Sequence, residues 1–248
     1  MKTYGLIGYP LSHSFSKKYF TEKFQNEGIE DHQYELLPIE DIKKLPDLLI
    51  ENPTLCGLNV TIPHKVNVLC YLNEVDEAAE KIGAVNCISI RSFDGENYLK
   101  GYNTDAYGFE ASLQPLLQPQ HTKALVFGDG GAAKAVKYVL TKLGIEYQVV
   151  VRKEMPDTIL YSAITAELLA SHTLLINTTP LGMSPHVDSY PEIDYSQLGP
   201  DHLAYDLVYN PLETAFLAKA AAQGAQIKNG LEMLYQQAEK AWAIWNKC

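Results

Sequence analysis

Apolar and polar positions form their most regular pattern between Lys123 and Val151. A strand-length apolar run at residues 123–127 leads directly into the glycine-rich residues 128–131. Gly144 is the residue type that commonly ends a helix, and residues 147–151 have the composition of a second strand. Between them, apolar side chains recur at helical spacing with lysines on the opposite face, at Ala132, Val136, Val139, Leu140 and Leu143. The pattern predicts a strand, a glycine turn, a helix and a strand in about thirty residues.

The predicted turn has the spacing Gly-x-Gly-x-x-Ala. Gly128 permits a tight turn, Gly130 lets the backbone approach a pyrophosphate, and Ala133 allows close packing of helix on strand. The N–H groups at the start of the helix would then face the phosphates. The alternative is a glycine turn that binds nothing, but the two flanking strands favour a dinucleotide site. The residues predicted to contact the cofactor are Gly128, Asp129, Gly130, Gly131 and Ala132.

The end of the second strand indicates which dinucleotide binds. An NAD site usually places Asp or Glu there, on the ribose hydroxyls, whereas this strand ends in Val151, Arg152 and Lys153. A basic pair suits a 2′-phosphate and predicts NADP, unless the pair is only a solvated strand end. Asp129 leaves two interpretations open. It caps the helix, or it places negative charge near the pyrophosphate and weakens binding.

Strands and helices alternate along the rest of the chain. Strands are predicted at residues 3–9, 32–37, 58–61, 83–91, 98–102, 173–177, 203–209 and 225–228. Helices are predicted at residues 15–27, 39–50, 66–72, 78–82, 103–117, 213–223 and 231–245, and a hairpin loop at 93–97. This alternation predicts an α/β protein of two lobes. Residues 1–105 form a substrate-binding and catalytic domain on which 231–248 pack back, and 106–230 form a doubly wound, Rossmann-type dinucleotide-binding domain.

Composition narrows the classes of partner. The net charge of −10 and the lack of a basic run argue against nucleic acid. No apolar run approaches membrane-spanning length, and the first residues lead into a strand rather than a signal peptide, so we expect a cytoplasmic protein. The cysteines show no Cys-x-x-Cys spacing and no nearby histidine cluster, which predicts reduced thiols and no metal site; they are Cys56, Cys70, Cys87 and Cys248.

Polar residues at the strand ends of the first lobe are the candidates for binding a small molecule. Ligands of such folds bind beyond the carboxyl ends of strands. Taken singly, these residues have ordinary explanations, such as a surface lysine, a helix-capping aspartate or loop serines. Only their joint placement indicates a site. The candidate residues are Ser14, Ser16, Thr61, Lys65, Asn86 and Asp105.

Several motifs also occur together in a characteristic order. They are Asn59-Val60-Thr61-Ile62-Pro63-His64-Lys65, Gly83-Ala84-Val85-Asn86, Asn103-Thr104-Asp105, Gly128-x-Gly130-Gly131-Ala132, Asp206-Leu207-Val208-Tyr209-Asn210-Pro211 and Met233-Leu234-x-x-Gln237-Ala238. With these motifs the chain resembles the shikimate dehydrogenase family over most of its length. The resemblance implies NADPH-dependent reduction of 3-dehydroshikimate to shikimate, a step toward chorismate and the aromatic amino acids.

The resemblance also implies roles for individual residues. Lys65 is the catalytic acid/base, and Asp105 is paired with it. Leu207 and Gly230 line the nicotinamide, and Glu77 lies near it. The implied substrate contacts are Ser14 and Ser16 of a His-Ser-x-Ser motif, Thr61, Lys65, Asn86, Asp105, Tyr209 and Gln237.

The chain departs from the family pattern at five positions. Asp129 stands where alanine is common, and Lys17 where proline follows the serine pair. Residues 151–153 replace Asn-Arg-Thr, and Pro156 replaces a later basic residue. Arg152 is kept, so a 2′-phosphate clamp is still expected.

The chemistry of the implied reaction leaves one mechanistic choice open. Carbonyl reduction needs a hydride on carbon and a proton on oxygen, and a partly buried lysine can give that proton. Alternatively, Lys65 only orients the substrate and a water carries the proton. A carboxylate such as Asp105 would hold the amine and accept a hydrogen bond from a substrate hydroxyl. His13 and His64 are interpreted as structural hydrogen-bonding residues rather than catalysts.

Two other functions compete with the first. One is a quinate/shikimate dehydrogenase paralogue that uses NAD. The other is a non-catalytic NADPH-binding sensor, against which the presence of both Lys65 and Asp105 argues. The partner expected in either enzyme is a small-molecule substrate, and the chain is expected to be a monomer or a homodimer.

Overall fold

The structure, a computed structural model, describes residues 1–11, 14–93 and 95–246. The chain divides into two compact units. The first comprises Met1–Thr104 and Ala238–Cys248, and the second comprises Asp105–Gln237. No helix in the described parts of the chain combines the length and the apolar character that crossing a membrane requires.

The first unit contains one mixed sheet with short helices. Its strands are β1 (Lys2–Gly8), β2 (His32–Pro38), β3 (Leu55–Val60), β4 (Glu74–Val75), β5 (Cys87–Phe93) and β6 (Glu96–Tyr102). Its helices are α1 (Phe15–Asn26), α2 (Leu45–Glu51) and α3 (Glu77–Ile82), with 3₁₀ turns at Ile42–Lys44 and Asn67–Tyr71. The six strands lie in the order β2-β1-β3-β5-β6-β4.

Strand direction brings several chain segments to one edge of this sheet. β1, β2 and β3 are parallel, so their carboxyl ends share an edge. β5 is antiparallel to β3, with Cys87 paired to Asn59, so β5 begins where β3 ends. β6 is antiparallel to β5, with Tyr102 paired to Cys87, and therefore ends there too. Thr61, Asn86 and residues 103–104 consequently follow or precede strands at this same edge.

Apolar side chains cover both faces of the first sheet. Ile7 belongs to one buried cluster, and Tyr4 belongs to the other, together with Trp245. The Trp245 ring stacks on Tyr4 with the ring centroids 4.9 Å apart, and its indole N–H donates to the Ile88 carbonyl at 2.9 Å. A Cβ atom on Gly57 would lie 2.3 Å from the indole nitrogen, so only glycine fits beneath the ring. Packing of the C-terminal residues therefore completes this core.

The second unit contains a parallel sheet with helices. Its strands are β7 (Lys123–Phe127), β8 (Glu146–Val151), β9 (Thr158–Leu160), β10 (Leu174–Asn177), β11 (Leu203–Asp206) and β12 (Gln226–Lys228). Its helices are α4 (Thr104–Leu113), α5 (Gly131–Lys142), α6 (Ala166–Ser171), α7 (Ala215–Ala221) and α8 (Leu231–Trp245). Short 3₁₀ turns occur at Gln114–Leu116, Tyr161–Ala163 and Tyr195–Gln197. The first residue of α4 and the end of α8, from Ala238, belong to the first unit.

The strand order β12-β11-β10-β7-β8-β9 confirms the predicted doubly wound fold. Successive strands leave β7 in one direction through β8 and β9, and return on its other side from β10. This reversal opens a crevice at the carboxyl ends of β7 and β10, where doubly wound folds bind ligands. The predicted strand–turn–helix–strand unit lies at this crevice. Its helix buries Val136, Val139 and Leu140 of the predicted apolar face, whereas Ala132 is half-buried and Leu143 is the residue that follows the helix. Gly144 comes next, with a φ of +71°.

Several predicted elements are wrong in extent. The helix predicted at 39–50 is a 3₁₀ turn followed by the shorter α2, which carries a proline in its first turn, and the helix predicted at 66–72 is a 3₁₀ turn. The strand predicted at 203–209 ends at Asp206, because the Asp206 side chain accepts the Val208 N–H and turns the chain. The short β4, β9 and α6 are not predicted. In the predicted hairpin loop, Phe93 pairs with Glu96, and Asp94 lies outside the described residues.

Candidate functional site

Asn86 holds the start of α4 at the polar edge of the first sheet. Its side chain is buried, and its carbonyl oxygen accepts the Thr104 N–H at 2.6 Å. Its amide donates to the Thr104 hydroxyl at 3.0 Å. Asp105 follows in the first turn of the helix. The predicted substrate contact Asn86 is thus also a structural anchor for the residue that precedes Asp105.

A chain of buried hydrogen bonds connects Ser16 to Asn86. The Tyr34 hydroxyl donates to the Asn59 side chain at 2.7 Å, and the Asn59 amide donates to the Asn86 carbonyl at 3.4 Å. Burial raises the pKa of Tyr34 well above its usual value, and a hydrogen bond from Ser16 partly offsets that rise. Because Tyr34 is buried, its hydroxyl needs these partners. The sequence did not indicate Tyr34 or Asn59 as parts of this network.

Ser14 has a buried hydroxyl with no hydrogen-bond partner among the described residues. It is the N-cap residue of α1, yet its side chain makes no capping hydrogen bond. Ser14 therefore occupies the N-cap position without capping the helix through its side chain. A buried hydroxyl without a partner is unfavourable, and a polar group of a ligand would satisfy it. His13, which begins the motif and was interpreted as structural, lies outside the described residues.

The loop that carries Thr61 and Lys65 is fastened at several points. The His64 N–H donates to the Thr61 carbonyl at 2.9 Å, and the Lys65 carbonyl accepts the Val85 N–H at 2.8 Å. The His64 ring is 2% exposed, and its Nε2 donates to the Ile39 carbonyl at 2.7 Å. His64 is a structural hydrogen-bonding residue, as predicted. The loop is thereby held rigid, with the Lys65 side chain half-buried.

The glycine turn of the second unit is tight at Gly128 and open at Gly130 and Gly131. Gly128 has a φ of +99°, and a Cβ atom there would lie 2.7 Å from the Thr179 side chain. Cβ atoms built on Gly130 and Gly131 meet nothing within 4 Å, so open space lies above the turn. Gly130 caps α5 without a side chain, and Ala132 follows in the first turn. The first N–H groups of the helix thus have no side-chain cap, which suits an anion.

One cavity brings the glycine turn and the basic pair together. It has a volume of about 920 Å³, and its lining includes Gly128, Asp129, Arg152 and Lys153. Tyr161 also lines it, and burial raises the pKa of Tyr161 to about 12 although the nearby Arg152 guanidinium opposes that rise. The size and the donor set fit a dinucleotide with its 2′-phosphate at the basic pair.

Asp129 does not cap the helix. Gly130 is the N-cap residue of α5, so the capping interpretation of Asp129 is wrong. Its carboxylate instead forms an ion pair with the Lys137 ammonium group, which comes from α5 itself. The sequence showed Lys137 only as part of the polar face of a helix.

Asp206 is a buried carboxyl group that begins one of the sequence motifs but was assigned no role from the sequence. It is fully buried at the end of β11 and accepts hydrogen bonds from the Asn177 amide at 2.9 Å, the Val208 N–H at 3.0 Å and the Thr214 hydroxyl at 2.6 Å. Burial raises its pKa from the ordinary 3.8 to about 6, although these three hydrogen bonds oppose the rise. An aspartate that directly follows an apolar strand was the signal in the sequence.

Further hydrogen bonds connect this carboxyl group to the neighbouring loops. The Asn177 carbonyl oxygen accepts from the Thr179 hydroxyl at 2.6 Å, and the Thr178 hydroxyl donates to the Phe127 carbonyl at 2.8 Å. The loops that follow β7, β10 and β11 are therefore tied together at the carboxyl edge of the parallel sheet. Among the side chains of this network described above, Asp206 is the one that can carry a charge, and it is fully buried.

The residues after β11 pack against Gly230. The Gly230 N–H donates to the Val208 carbonyl at 3.1 Å, and a Cβ atom on Gly230 would lie 2.1 Å from the Leu207 carbonyl oxygen. Gly230 thus permits a close approach of two backbone segments. Leu207 and Tyr209 are half-buried, and burial raises the pKa of the Tyr209 hydroxyl.

Two remaining predicted residues differ in their surroundings. Gln237 is 9% exposed and donates to the Leu234 carbonyl at 2.9 Å, so it does not lie on the solvent-exposed face of its helix. A Cβ atom on Gly108 would lie 3.0 Å from the Gln237 backbone nitrogen, which shows how closely α4 and α8 pack. Glu77 is exposed on α3 of the first unit, and its hydrogen bond from Lys81 lowers its pKa. Within the described residues, no cluster of three or more His, Cys, Asp or Glu side chains could hold a metal.

Comparison with known proteins identifies similar sequences and structures. Residues 6–88 match the family model of the shikimate dehydrogenase substrate binding domain. A shikimate dehydrogenase (NADP(+)) of Caldanaerobacter subterraneus subsp. tengcongensis is 37% identical over 266 residues, which cover 98% of this chain and 91% of that protein. The crystal structure of Thermus thermophilus shikimate 5-dehydrogenase with NADP(H) and shikimate has a TM-score of 0.85 and 31% identity, covering all of this chain and 94% of that one. Quinate dehydrogenase from Corynebacterium glutamicum with NAD has a TM-score of 0.87 and 28% identity, covering all of this chain and 94% of that one.

Asp206→Asn is predicted to change the pH dependence of stability. A raised native pKa means that the folded protein binds this proton more tightly than the unfolded chain does. The contribution of Asp206 to the free energy of unfolding therefore falls as pH rises from about 4 to about 6. The free energy of unfolding of the variant relative to the wild type should therefore rise by about 2 kcal/mol between pH 4 and pH 8. Urea unfolding followed by circular dichroism measures this difference.

The matched control for Asp206 is Asp194→Asn. Asp194 is exposed, and hydrogen bonds from Ser196 and Gln197 lower its pKa, so its contribution changes only below pH 4. Its stability difference should stay flat over the range in which that of Asp206→Asn rises. A pH-independent difference for Asp206→Asn would contradict the assignment of a raised pKa.

Proposed function

This chain belongs to the shikimate dehydrogenase family, and from that premise we propose that it catalyses the reversible, NADPH-dependent reduction of 3-dehydroshikimate to shikimate. It is an oxidoreductase that acts on a CH–OH group, in the biosynthesis of chorismate and the aromatic amino acids. The observation that carries this proposal is the cavity in which the glycine turn and the Arg152–Lys153 pair lie on one lining. A phosphate-binding turn beside two cations is the arrangement that NADP requires.

We propose that the first unit binds the substrate and that the second binds the dinucleotide. The domain bounds are 1–105 with 231–248 for the first and 106–230 for the second. The two compact units support this division and differ from it only at Asp105 and at residues 231–237. The match of residues 6–88 to a substrate-binding domain supports the assignment of the first unit.

The proposed substrate contacts are polar residues at strand ends and in the later motifs. The Ser14 hydroxyl supports this role most directly, because it is buried and has no hydrogen-bond partner within residues 1–11, 14–93 and 95–246. Ser16 and Asn86 take part in the hydrogen-bond chain at the same sheet edge, which limits their freedom before substrate binds. The full set is Ser14, Ser16, Thr61, Lys65, Asn86, Asp105, Tyr209 and Gln237.

Lys65 is proposed to donate the proton that the carbonyl oxygen of the substrate gains on reduction. Its backbone is fixed by the hydrogen bond from Val85, so the ammonium group is presented from a rigid loop. Asp105 would hold the amine and accept a hydrogen bond from a substrate hydroxyl. The alternative is that Lys65 orients the substrate while a water carries the proton.

The cofactor, when bound, supplies the hydride. The residues proposed at the pyrophosphate are Gly128, Asp129, Gly130, Gly131 and Ala132, whose backbone rather than the Asp129 side chain would contact it. Those proposed at the 2′-phosphate are Arg152 and Lys153. Leu207 and Gly230 are proposed at the nicotinamide, together with Glu77. The close packing of Gly230 on Leu207 supports a fixed wall at that position.

A quinate/shikimate dehydrogenase that uses NAD is the second candidate. The structural similarity to the Corynebacterium quinate dehydrogenase favours keeping this candidate. Quinate carries an added hydroxyl on the ring carbon that bears the carboxylate, so room near Ser14 and Ser16 decides between the substrates. The serine pair favours shikimate, and the basic pair favours NADP over NAD.

We further propose that the protein acts in the cytoplasm as a monomer or a homodimer, with small molecules rather than nucleic acid as its partners. The net charge of −10 supports the exclusion of nucleic acid.

A four-way assay tests the function. Shikimate or quinate is oxidised with NADP⁺ or NAD⁺, and kcat/KM is measured for each pair. Shikimate with NADP⁺ should be best, and replacing NADP⁺ with NAD⁺ should cost about tenfold or more because the charged contacts to the 2′-phosphate are lost. A preference for quinate with NAD⁺ would establish the second candidate. Tight NADPH binding without turnover of either substrate would establish the sensor.

Lys65→Ala should lower kcat by about a hundredfold to ten-thousandfold, the range typical of general acid–base catalysis, while the dissociation constant for NADPH changes little. Steady-state kinetics and NADPH fluorescence titration measure the two effects. Lys65→Arg separates the two mechanistic alternatives, because a guanidinium keeps the charge but does not release a proton. Substantial turnover in Lys65→Arg would favour the orienting role. Lys43→Ala, at an exposed lysine of the same unit, is the control and should behave as the wild type.

Arg152→Ala should weaken NADPH binding about ten- to a hundredfold and leave NADH binding nearly unchanged. The reason is that Arg152 is proposed to contact only the 2′-phosphate, and a hydrogen bond to a charged group accounts for an effect of this size. Dissociation constants from fluorescence titration provide the test. An equal loss of affinity for both cofactors would mean that Arg152 does not bind the 2′-phosphate.

A further inference from the structure

The ion pair between Asp129 and Lys137 has a function that the family resemblance does not supply. Asp129 is one of the positions at which this chain departs from the family. We propose that Lys137 is a positioning residue that neutralises Asp129 and so keeps the glycine turn able to accept a pyrophosphate. The inference rests on the proposed dinucleotide site and concerns a residue that does not itself contact the cofactor.

An unpaired carboxylate at this position would oppose binding of an anion. Asp129 lies between Gly128 and Gly130, and it lines the same cavity as the basic pair. Its side chain is only 20% exposed, so water and salt would screen its charge incompletely. Both the bound pyrophosphate and the carboxylate would be attracted to the N-terminus of α5. Without compensation they would repel each other there.

Helix geometry explains why Lys137 supplies the compensation. Side chains of an α-helix lean toward its N-terminus, so a long side chain from the second turn reaches back over the loop that precedes the helix. The Lys137 ammonium group donates to Asp129 Oδ1 in this way and is 27% exposed. The pair therefore joins the glycine turn to the helix that follows it, and it removes the net charge of the turn.

The same helix offers a matched control. Lys142, in the last turn of α5, pairs with Glu110 through contacts of 2.7 and 2.8 Å. The Glu110 side chain is 21% exposed, close to the value for Asp129. Lys142→Ala therefore also leaves a partly buried carboxylate without its cation. It does so at the opposite end of the helix from the glycine turn.

The test is a double-mutant cycle read as NADPH affinity, without turnover. The proteins are the wild type, Lys137→Ala, Asp129→Asn, the double variant and Lys142→Ala, each checked for folding by thermal melting. Lys137→Ala should weaken NADPH binding about tenfold, and this loss should shrink as salt is raised. Asp129→Asn should bind NADPH at least as tightly as the wild type, and the double variant should match Asp129→Asn. Lys142→Ala should leave affinity unchanged.

Different outcomes would overturn the inference. An equal loss from Lys137→Ala in the presence and absence of Asp129 would mean that the lysine contacts the phosphate directly. An unchanged affinity in Lys137→Ala would mean that the carboxylate is harmless. Asp129→Asn keeps Lys137, so it tests the inference even where Lys137→Ala fails to fold. If the wild type binds neither NADPH nor NADH, the proposed function fails first, and that result is distinct from any change among the variants.

Discussion

The buried carboxyl group of Asp206 is the constraint on which the binding edge of the second unit depends. A carboxyl group without solvent must be satisfied by hydrogen bonds, and Asp206 obtains three from three separate segments. Satisfying it fixes the loop after β11, and its partner Asn177 fixes the loop after β10. The cost of burial is visible in a pKa raised to about 6. Burying this carboxyl group is unfavourable, but its hydrogen bonds fix the loops at the edge where folds of this type bind ligands.

In the first unit, neutral side chains rather than a carboxyl group fix the loops at the polar edge of the sheet. Its polar edge is built by strand direction, because β5 and β6 run antiparallel to β3 and so bring Asn86 and Thr104 beside the end of that strand. Tyr34, Asn59 and Asn86 then form a hydrogen-bond chain that needs no ion pair. Neutral networks are less costly to bury than charges. The Ser14 hydroxyl lacks a partner among the described residues, so it is the group at this edge that could form a hydrogen bond with a ligand.

An acidic shikimate dehydrogenase must bind two anionic molecules through local arrangements. The net charge of −10 provides no long-range attraction for either molecule. The cavity of the second unit instead concentrates Arg152 and Lys153 on its lining, while Lys137 compensates the one carboxylate in the glycine turn. We therefore expect local pairing, rather than the overall charge, to decide the affinity for these anions.

The sequence by itself determined the elements and motifs that depend on near neighbours. The spacing of apolar residues in α5 predicts both its buried face and its end near Gly144, and the bounds predicted for α8 are those observed. The helix predicted at 39–50 was too long, because apolar spacing does not show where a short 3₁₀ turn replaces the α-helix. Only the tertiary structure showed that Asp206 ties three segments, that Tyr34 joins Ser16 to Asn59, and that Lys137 turns back to Asp129. The physical reason is that a hydrogen bond or ion pair depends on the direction and burial of both side chains. The direction and burial of a side chain are set by packing between residues far apart in the chain or by the way a helix begins. Local periodicity of apolar residues predicts neither.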